Sequence, residues 1–467
     1  MHPSSASWAY GGRLSQLRAW LLFAVSALAI AGAFALLAVL TRTPAVQLLG
    51  TAEGLHRAIA GHVTFALLVW LLAFETVLWL LASPPECRPR TFSRSLLLAS
   101  AGSGLLIVAV LSGRGAAVLT DYVSVIVDPL FFAGLALFAA GVGGAAWAAV
   151  GHVAGTRSLL QHGMQAAAVI GVLALGACGT ALAWLLPRDP AATDFVFFQS
   201  LFWMTGHLLQ FVNVVAMTSV WYLLLDAGFG AGVRDDRLAR RAYDASVVLA
   251  MLLFACTVGF DSRTLPANLG LSVAMGLAAA LPALVHAALV VGAIARRRRG
   301  WSSPEGAALL CSVTLFVCGI VLALARVRTG SSMWIPAHYH AVVVGGVTMA
   351  FMGLTYTLIG RLGTMAWPRL SAVQPWLYGL GMLLVVAGMN WAGAEGAPRK
   401  TFDPALGAAA ARWVTPMNVM GAGGVVAVLG GAMFVLNALV SLATTARVRA
   451  DAPVIPIHAA SVHGRIR

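Results

Sequence analysis

The chain has 467 residues, of which 60% are hydrophobic and 10% charged, and its mean hydropathy is +0.88. Soluble domains usually carry roughly 25% charged residues, so this composition excludes an ordinary soluble protein. The net charge of +14 would suit nucleic-acid binding, but the distribution of the basic residues described below excludes nucleic acid as the expected partner.

Apolar runs long enough to cross a bilayer, about 20 residues each, recur along the whole chain. Backbone polar groups in lipid must bond internally, so these runs are expected to be helices. The sequence predicts an all-α integral membrane bundle of about twelve transmembrane helices, with one domain at 1–446 and a polar cytoplasmic tail at 447–467. The predicted spans are 18–41, 57–82, 95–112, 126–150, 163–186, 197–225, 243–260, 268–294, 306–325, 335–360, 373–392 and 418–443.

Basic residues are concentrated in alternate loops between these spans and at both ends of the chain, with Arg296 to Arg299 as the densest run. The positive-inside rule places the richer set of loops in the cytoplasm. We therefore expect a multi-pass protein of a bacterial-type inner (plasma) membrane, embedded in lipid, with both termini cytoplasmic.

The five cysteines form no CxxC pair, so their spacing predicts neither a disulfide framework nor a zinc site. No glycine-rich nucleotide loop follows a strand-like segment. The histidines are more informative. Those inside predicted spans are His62, His207, His286, His338 and His340.

Ionisable residues within a membrane are costly and usually functional, although any one of them can instead be a helix-packing hydrogen-bond partner. Under the predicted topology the second, sixth and tenth spans all enter from the outer side. His62, His207, His338 and His340 then lie at comparable depths in the outer half of the membrane.

The pair His338 and His340, separated by Tyr339, is the sharpest local pattern. Residues two apart on a regular helix point roughly 200° apart, so these imidazoles cannot easily share one metal. They can serve two irons, one on each side of the helix. An imidazole on each face, with His62 opposite on another helix, is a plausible arrangement for two haems in a helical bundle.

These residues resemble subunit I of the haem–copper oxidases, a superfamily that includes cytochrome c oxidases and nitric oxide reductases. The segment from Pro336 to His340 is similar to the start of the family's tenth helix. The resemblance implies that His338 binds the high-spin, reactive haem iron and His340 the low-spin haem iron. The second low-spin ligand comes from the family's second helix, where Gly61-His62 matches.

Two further motifs support the resemblance. The loop Gly396–Lys400 is similar to the family's GMPRR loop, whose basic residues pair with haem propionates, and here Arg399 and Lys400 occupy those positions. Lys400, the only lysine of the chain, keeps the charge but lacks the planar bidentate fork of arginine. On the sixth span, Gly206-His207 matches a histidine that binds a distal metal in the family.

The chain departs from the family at that distal site. Its other two ligands are an adjacent histidine pair on the seventh helix, where this sequence has Leu253 and Phe254. A single neutral imidazole is a poor site for copper or iron, so we expect distal copper to be absent. Cys256 is more simply a small buried residue than a substitute ligand. Phe211 stands where many oxidases have a tyrosine.

Two other ionisable residues, His286 and Glu75, are candidates for a proton path, since histidine relays protons near neutral pH. His286 aligns roughly with a lysine of a proton channel in the family. Glu75 lies 13 residues beyond His62, roughly 20 Å deeper. Either residue can equally be a helix-packing hydrogen-bond partner.

The resemblance implies an oxidoreductase in which electrons pass through a low-spin haem to a high-spin haem that binds O2 or NO, with His338 and His207 at the reactive site. Two haems are expected, and b-type is the haem type favoured for them. The electrons are expected to come from a cytochrome c, a cupredoxin-like subunit or a quinol. Because the chain has no CxxCH motif, delivery from a soluble carrier would need an additional subunit with a cytochrome c or cupredoxin domain. The alternative is a non-catalytic di-haem or gas-binding subunit, in which His207 caps the second haem. A transporter would need repeated halves, and no repeat is visible.

Overall fold

The computed structural model describes residues 5–83, 89–150, 158–189, 191–297, 300–325, 332–402 and 410–445. Among these residues, twelve helices are long and apolar enough to cross a membrane. The prediction of an all-α bundle with twelve transmembrane helices is confirmed, and every predicted span falls on one helix. The predicted tail at 447–467 lies outside the described residues.

We number the helices in chain order. They are α1 (Ser5–Arg42), α2 (Ala52–Ala82), α3 (Pro89–Leu111), α4 (Pro129–Val150), α5 (Leu159–Leu185), α6 (Phe195–Phe229), α7 (Asp236–Gly259), α8 (Leu269–Ile294), α9 (Pro304–Ala325), α10 (Trp334–Leu362), α11 (Pro368–Ala394) and α12 (Val414–Thr445). A short antiparallel hairpin, β1 (Ala117–Val118) with β2 (Val125–Ile126), lies between α3 and α4.

Helices α2, α6 and α10 are the most buried of the twelve, and they carry His62, His207, His338 and His340. The surrounding helices pack closely through small residues, as is usual where lipid supplies no hydrophobic drive for helix association. A Cβ atom on Gly388 of α11, for example, would lie 2.5 Å from the Met420 nitrogen of α12. Because the surrounding helices pack closely against one another, α2, α6 and α10 are shielded from lipid.

Helices α2 and α10 share an irregularity that the sequence did not predict. Each contains a π-helical segment, Thr64–Trp70 in α2 and His340–Val347 in α10. The first begins two residues after His62 and the second begins at His340. A π-segment widens the helix and is frequent at functional sites. The regular geometry assumed for the tenth span therefore holds only up to Tyr339.

A buried contact between α2 and α10 fixes their relative register. The indole nitrogen of Trp70 donates to the Thr348 hydroxyl at 3.2 Å, and each of these residues lies eight positions after its helix's histidine. One turn deeper, the rings of Phe74 and Phe351 stack at 4.3 Å. Because the spacing is equal on both helices, this contact sets His62 and His340 at the same level.

Candidate functional site

The imidazoles of His62 and His340 face each other across α2 and α10. Their ring centres are 6.4 Å apart and their planes differ by 23°. The Nδ1 of His62 bonds the Ala31 carbonyl of α1 at 3.2 Å, and the Nδ1 of His340 bonds the Pro336 carbonyl at 2.7 Å. A carbonyl oxygen can only accept, so Nδ1 carries the proton in both rings and Nε2 is left as the coordinating nitrogen.

The ring separation suits one shared metal ion. A metal–imidazole bond is about 2.0 Å long, and about 1.1 Å more separates the bonding nitrogen from the ring centre. Two rings opposed across one iron therefore have centres about 6.2 Å apart. The observed 6.4 Å is close to this value, so the separation of the two rings is compatible with one iron held between them.

A cavity of about 520 Å³ contains this pair. Its walls are mostly apolar side chains of α1, α2, α10, α11 and α12, and it extends inward as far as Met352. Arg399 and Lys400 line the same cavity. The cavity therefore fits an amphipathic macrocycle in two respects. Its apolar part, which contains the two imidazoles, suits the ring of a haem, and its basic end suits the propionates.

The basic end is tied together by contacts among the loops. Arg399 pairs with Asp121 at 2.7 Å, and Lys400 lies 3.6 Å from the same carboxylate. The Lys400 ammonium also donates to the Leu119 and Thr120 carbonyls at 3.1 and 2.5 Å. These contacts bind the loop before α12 to the β1–β2 hairpin.

Burial and the neighbouring charges shift the pKa values of Asp121 and Lys400. Burial alone would raise the pKa of Asp121, but the adjacent Arg399 and Lys400 outweigh it and hold the pKa below its usual range. Burial lowers the pKa of Lys400 to about 8, against the opposing attraction of Asp121. The ammonium of Lys400 is therefore charged below about pH 8 and neutral above it.

Arg42, at the end of α1, is a buried cation that sequence reasoning missed. It lines the cavity, and its guanidinium donates to the Pro398 carbonyl at 3.2 Å and to the Met333 sulfur at 2.9 Å. Its only sequence signal is its place at the border of a predicted span, where a basic residue is unremarkable. Arg42 adds a third positive charge to the outer part of the cavity.

His338 points away from the cavity of the His62–His340 pair and is absent from its lining. Its Nδ1 donates to the Gly319 carbonyl of α9 at 2.8 Å. The close approach of α9 requires glycine, because a Cβ atom on Gly319 would lie 2.5 Å from the Val342 side chain and 3.0 Å from the Val342 nitrogen. The two histidines of the HxH pattern thus face different helices.

His207 on α6 is engaged at both ring nitrogens. Its Nδ1 bonds the Trp203 carbonyl at 2.8 Å, and its Nε2 lies 2.9 Å from the Tyr122 hydroxyl. The Tyr339 hydroxyl donates to Tyr122 at 3.2 Å. Sequence reasoning missed Tyr122, since a tyrosine in a short interhelical loop carries no motif signal.

Leu253 and Phe254, which the resemblance aligns with the family's histidine pair, are apolar residues of α7. Leu253 is buried in the core, and the Phe254 ring lies 3.1 Å from the position of a Cβ atom on Gly176 of α5. The Cys256 thiol points to the Leu252 carbonyl of its own helix at 3.5 Å. Within the described ranges, no three histidine, cysteine, aspartate or glutamate side chains come close enough to hold a metal ion.

The two proton-path candidates lie in different surroundings. His286 is 2% exposed, with Nδ1 2.5 Å from the Tyr222 hydroxyl and its ring 4.2 Å from the ring of Tyr243. Glu75 is fully buried, and neither of its carboxyl oxygens has a hydrogen-bond partner among the described residues. His286 is thus part of a polar cluster, whereas Glu75 is a buried acid without one.

The model of the family "Cytochrome C and Quinol oxidase polypeptide I" matches residues 16–427. The match covers most of the chain, so the protein belongs to this family, subunit I of the haem–copper oxidases.

Individual relatives agree with the family. An uncharacterised protein of Aquifex aeolicus is 27% identical over 357 residues, covering 74% of this chain and 85% of that protein. Cytochrome c oxidase subunit 1 of Thermus thermophilus is 27% identical over 233 residues, covering 44% of this chain and 41% of that protein. A solved haem–copper terminal oxidase dimer has the same fold, with a TM-score of 0.77 at 16% identity, covering 95% of this chain and 85% of that one.

We predict that Gly319→Ala weakens retention of a haem at His338 by about 10–100-fold, the usual cost of disturbing a partner of a metal ligand. The added methyl group forces α9 and α10 apart and withdraws the carbonyl that orients His338. Haem titration with optical spectra measures the loss. Gly360→Ala is the matched control, since a Cβ atom there meets nothing within 4 Å. Equal haem retention in both variants would contradict the assignment.

We also predict that haem capture by the haem-free protein weakens as the pH rises through about 8. Lys400 loses its proton there, and a neutral amine no longer attracts a propionate. In Lys400→Arg the guanidinium stays charged, so the decline should vanish. Fluorescence quenching by added haem between pH 6.5 and 9.5 makes the comparison. A decline of the same size in the arginine variant would show that another group is responsible.

Proposed function

We propose that this protein is a membrane-integral haem oxidoreductase subunit that passes electrons from a low-spin haem to a high-spin haem. Its family membership supports the oxidoreductase class. The proposed low-spin haem is supported by the 6.4 Å separation of the His62 and His340 rings, in a cavity that Arg399 and Lys400 also line. This is the separation that one shared iron needs, beside the cations that two propionates need.

The low-spin haem would be held by His62 and His340, with its propionates toward Arg399 and Lys400. The haem supplies one-electron transfer when bound. The chain's own contribution is orientation, because the Ala31 and Pro336 carbonyls accept from Nδ1 of the two imidazoles and so would leave Nε2 of each to bind the iron. The basic residues neutralise the propionates, and the apolar walls exclude water.

The high-spin haem would be held by His338, which Gly319 orients from α9. His207 stands on the adjoining helix, and O2 or NO is the proposed ligand of this second haem. We propose two haems, with b-type as the favoured haem type. We also propose that distal copper is absent, since α7 has leucine and phenylalanine at the positions that align with two of its ligands. His207 then acts as a hydrogen-bonding group rather than as a metal ligand.

A non-catalytic role is the second candidate, as an electron-conducting or gas-binding di-haem subunit of a respiratory complex. The observation in its favour is the apolar character of α7 at Leu253 and Phe254, which removes the ligands of a second metal. In this case electron transfer between the haems is retained, and no substrate is turned over.

The location, electron donor and proton path of the protein are proposed from the sequence. We propose that the protein lies in a bacterial-type plasma membrane with both termini cytoplasmic and the basic end of the cavity on the outer side. An additional subunit with a cytochrome c or cupredoxin domain would deliver electrons to that side. His286, with Tyr222, and Glu75 are the proposed proton-path residues from the cytoplasmic half.

Purified protein should contain two haems, and His62→Ala should lose the low-spin signal while the other haem remains, because His338 holds that haem separately. Pyridine haemochrome analysis and reduced spectra with and without CO test this. His162→Ala is the control, since His162 pairs with Asp244 outside the cavity. Protein without haem would refute both functions, and two haems without any CO shift would favour the non-catalytic one.

His286→Gln should slow O2 or NO consumption by at least about tenfold, since positioned proton-transfer groups contribute on the order of 10²–10⁴-fold in rate. Reduction of the low-spin haem should keep its wild-type rate, because electrons do not pass through this cluster. Gas-electrode turnover and stopped-flow haem reduction separate the two effects. Turnover equal to that of His162→Gln would remove His286 from the proton path.

A further inference from the structure

The seam between α1 and α12 is closed near the basic end of the cavity. A Cβ atom on Gly424 of α12 would lie 2.6 Å from the Val39 side chain of α1. About one turn nearer the basic end, a Cβ atom on Gly421 would collide with the Thr43 side chain. The two helices touch at this level, so nothing passes between them here unless one of them moves.

Two turns deeper, the same two helices no longer meet. Gly32 lies seven residues before Val39 on α1. Gly431 lies seven residues after Gly424 on α12, which runs in the opposite direction, so both glycines lie about 10 Å further from the basic end. A Cβ atom on Gly32 would meet nothing within 4 Å, and one on Gly431 would reach only the Tyr378 ring of α11 at 4.0 Å. The seam thus opens into a gap with a glycine on each side.

Each helix beside the gap is held by its other neighbour. On α1, the Phe34 ring lies 2.9 Å from the position of a Cβ atom on Gly61 of α2. On α12, a Cβ atom on Gly430 would lie 2.8 Å from the Tyr378 nitrogen of α11. Because α1 stays with α2 and α12 stays with α11, the gap between α1 and α12 belongs to the packing of the bundle.

The gap and the histidine pair belong to one continuous space. Gly32 and Gly431 line the same cavity as His62 and His340. Leu436 of α12 lines it too, and this residue is 58% exposed at the surface of the bundle. The cavity therefore extends from the two imidazoles to the surface that α1 and α12 present to lipid.

The route through the basic end is crossed by polar contacts instead. Arg399 pairs with Asp121 at 2.7 Å, with Lys400 beside the same carboxylate. The Arg42 guanidinium donates to the Pro398 carbonyl at 3.2 Å. A haem that entered there would have to separate these groups, whereas the gap is bordered by glycines and apolar side chains, which suit an apolar ring.

We propose that the haem of His62 and His340 enters its site sideways from the bilayer, through the seam between α1 and α12. This inference rests on the proposed function. Burying a charged group in apolar surroundings is costly, so haem in a bilayer keeps its propionates at the membrane surface and its ring in the hydrocarbon. The proposed site needs the same orientation, with the propionates toward Arg399 and Lys400. Movement in the membrane plane therefore brings the iron to the imidazoles without turning the ring over.

A disulfide across the seam tests the route reversibly. The Val39 Cβ lies 3.4 Å from the position of a Cβ atom on Gly424, close to the range of about 3.5–4.5 Å found in disulfides. Val39→Cys combined with Gly424→Cys should therefore join α1 to α12. In holoprotein in lipid nanodiscs, the oxidised form should lose its low-spin haem to added apomyoglobin at least about tenfold more slowly than the reduced form, as a barrier about 1.4 kcal/mol higher would require. Optical spectra follow the transfer.

The chain offers a matched control for the disulfide. A Cβ atom on Gly379 of α11 would lie 3.3 Å from the Cβ of the native Cys311 of α9. Gly379→Cys should therefore join two helices away from the seam. Haem transfer from this variant should have the same rate before and after reduction, which also controls for the reductant.

A second variant tests the seam without a disulfide. Val39→Ala removes the side chain that touches Gly424, so it should speed haem transfer in both directions. Val425→Ala, at an exposed position of α12, should leave the rate unchanged. Wild-type rates in Val39→Ala, or equal rates in the oxidised and reduced seam disulfide, would overturn the inference. Both results leave the proposed function standing, because the measurement needs low-spin haem in place. Protein without this haem would overturn the proposed function and the inference with it.

Discussion

Backbone carbonyls hold each of the four histidines of α2, α6 and α10 by Nδ1, and the chemistry open to these side chains depends on this. The four acceptors are Ala31 for His62, Trp203 for His207, Gly319 for His338 and Pro336 for His340. In the interior of a membrane protein such a bond satisfies a costly polar group and also fixes which nitrogen is free. The same contact therefore serves stability and ligand orientation at once.

Two of these carbonyls belong to a neighbouring helix, so the histidines are only as well placed as the helix contacts around them. His62 needs α1 close by, and His338 needs α9, which approaches α10 through Gly319. The Trp70–Thr348 hydrogen bond and the Phe74–Phe351 stack then set the register of α2 against α10. The close packing of small residues is thus part of the site and not only of the scaffold.

The sequence predicted the twelve helices, because membrane spans leave strong local signals. The structure also brings His62 and His340, which the family resemblance pairs on one haem, to a ring separation of 6.4 Å. The π-segments at Thr64–Trp70 and His340–Val347 left no such local signal, since no local residue preference distinguishes them from regular helix. Tyr122 and Arg42 were missed for another reason. Their roles come from contacts between residues distant in sequence, in loops or at span borders where polar residues are common.

The pairing of Arg399 and Lys400 with Asp121 has a consequence for biogenesis. The Asp121 carboxylate of the hairpin loop pairs with both cations, and these same contacts join the loops at one end of the bundle. The carboxylate offsets part of this charge, so the helices can assemble in the bilayer with a smaller buried excess of positive charge. Under the proposed function, binding of the haem propionates would then be a later exchange of carboxylates, separable in time from membrane insertion.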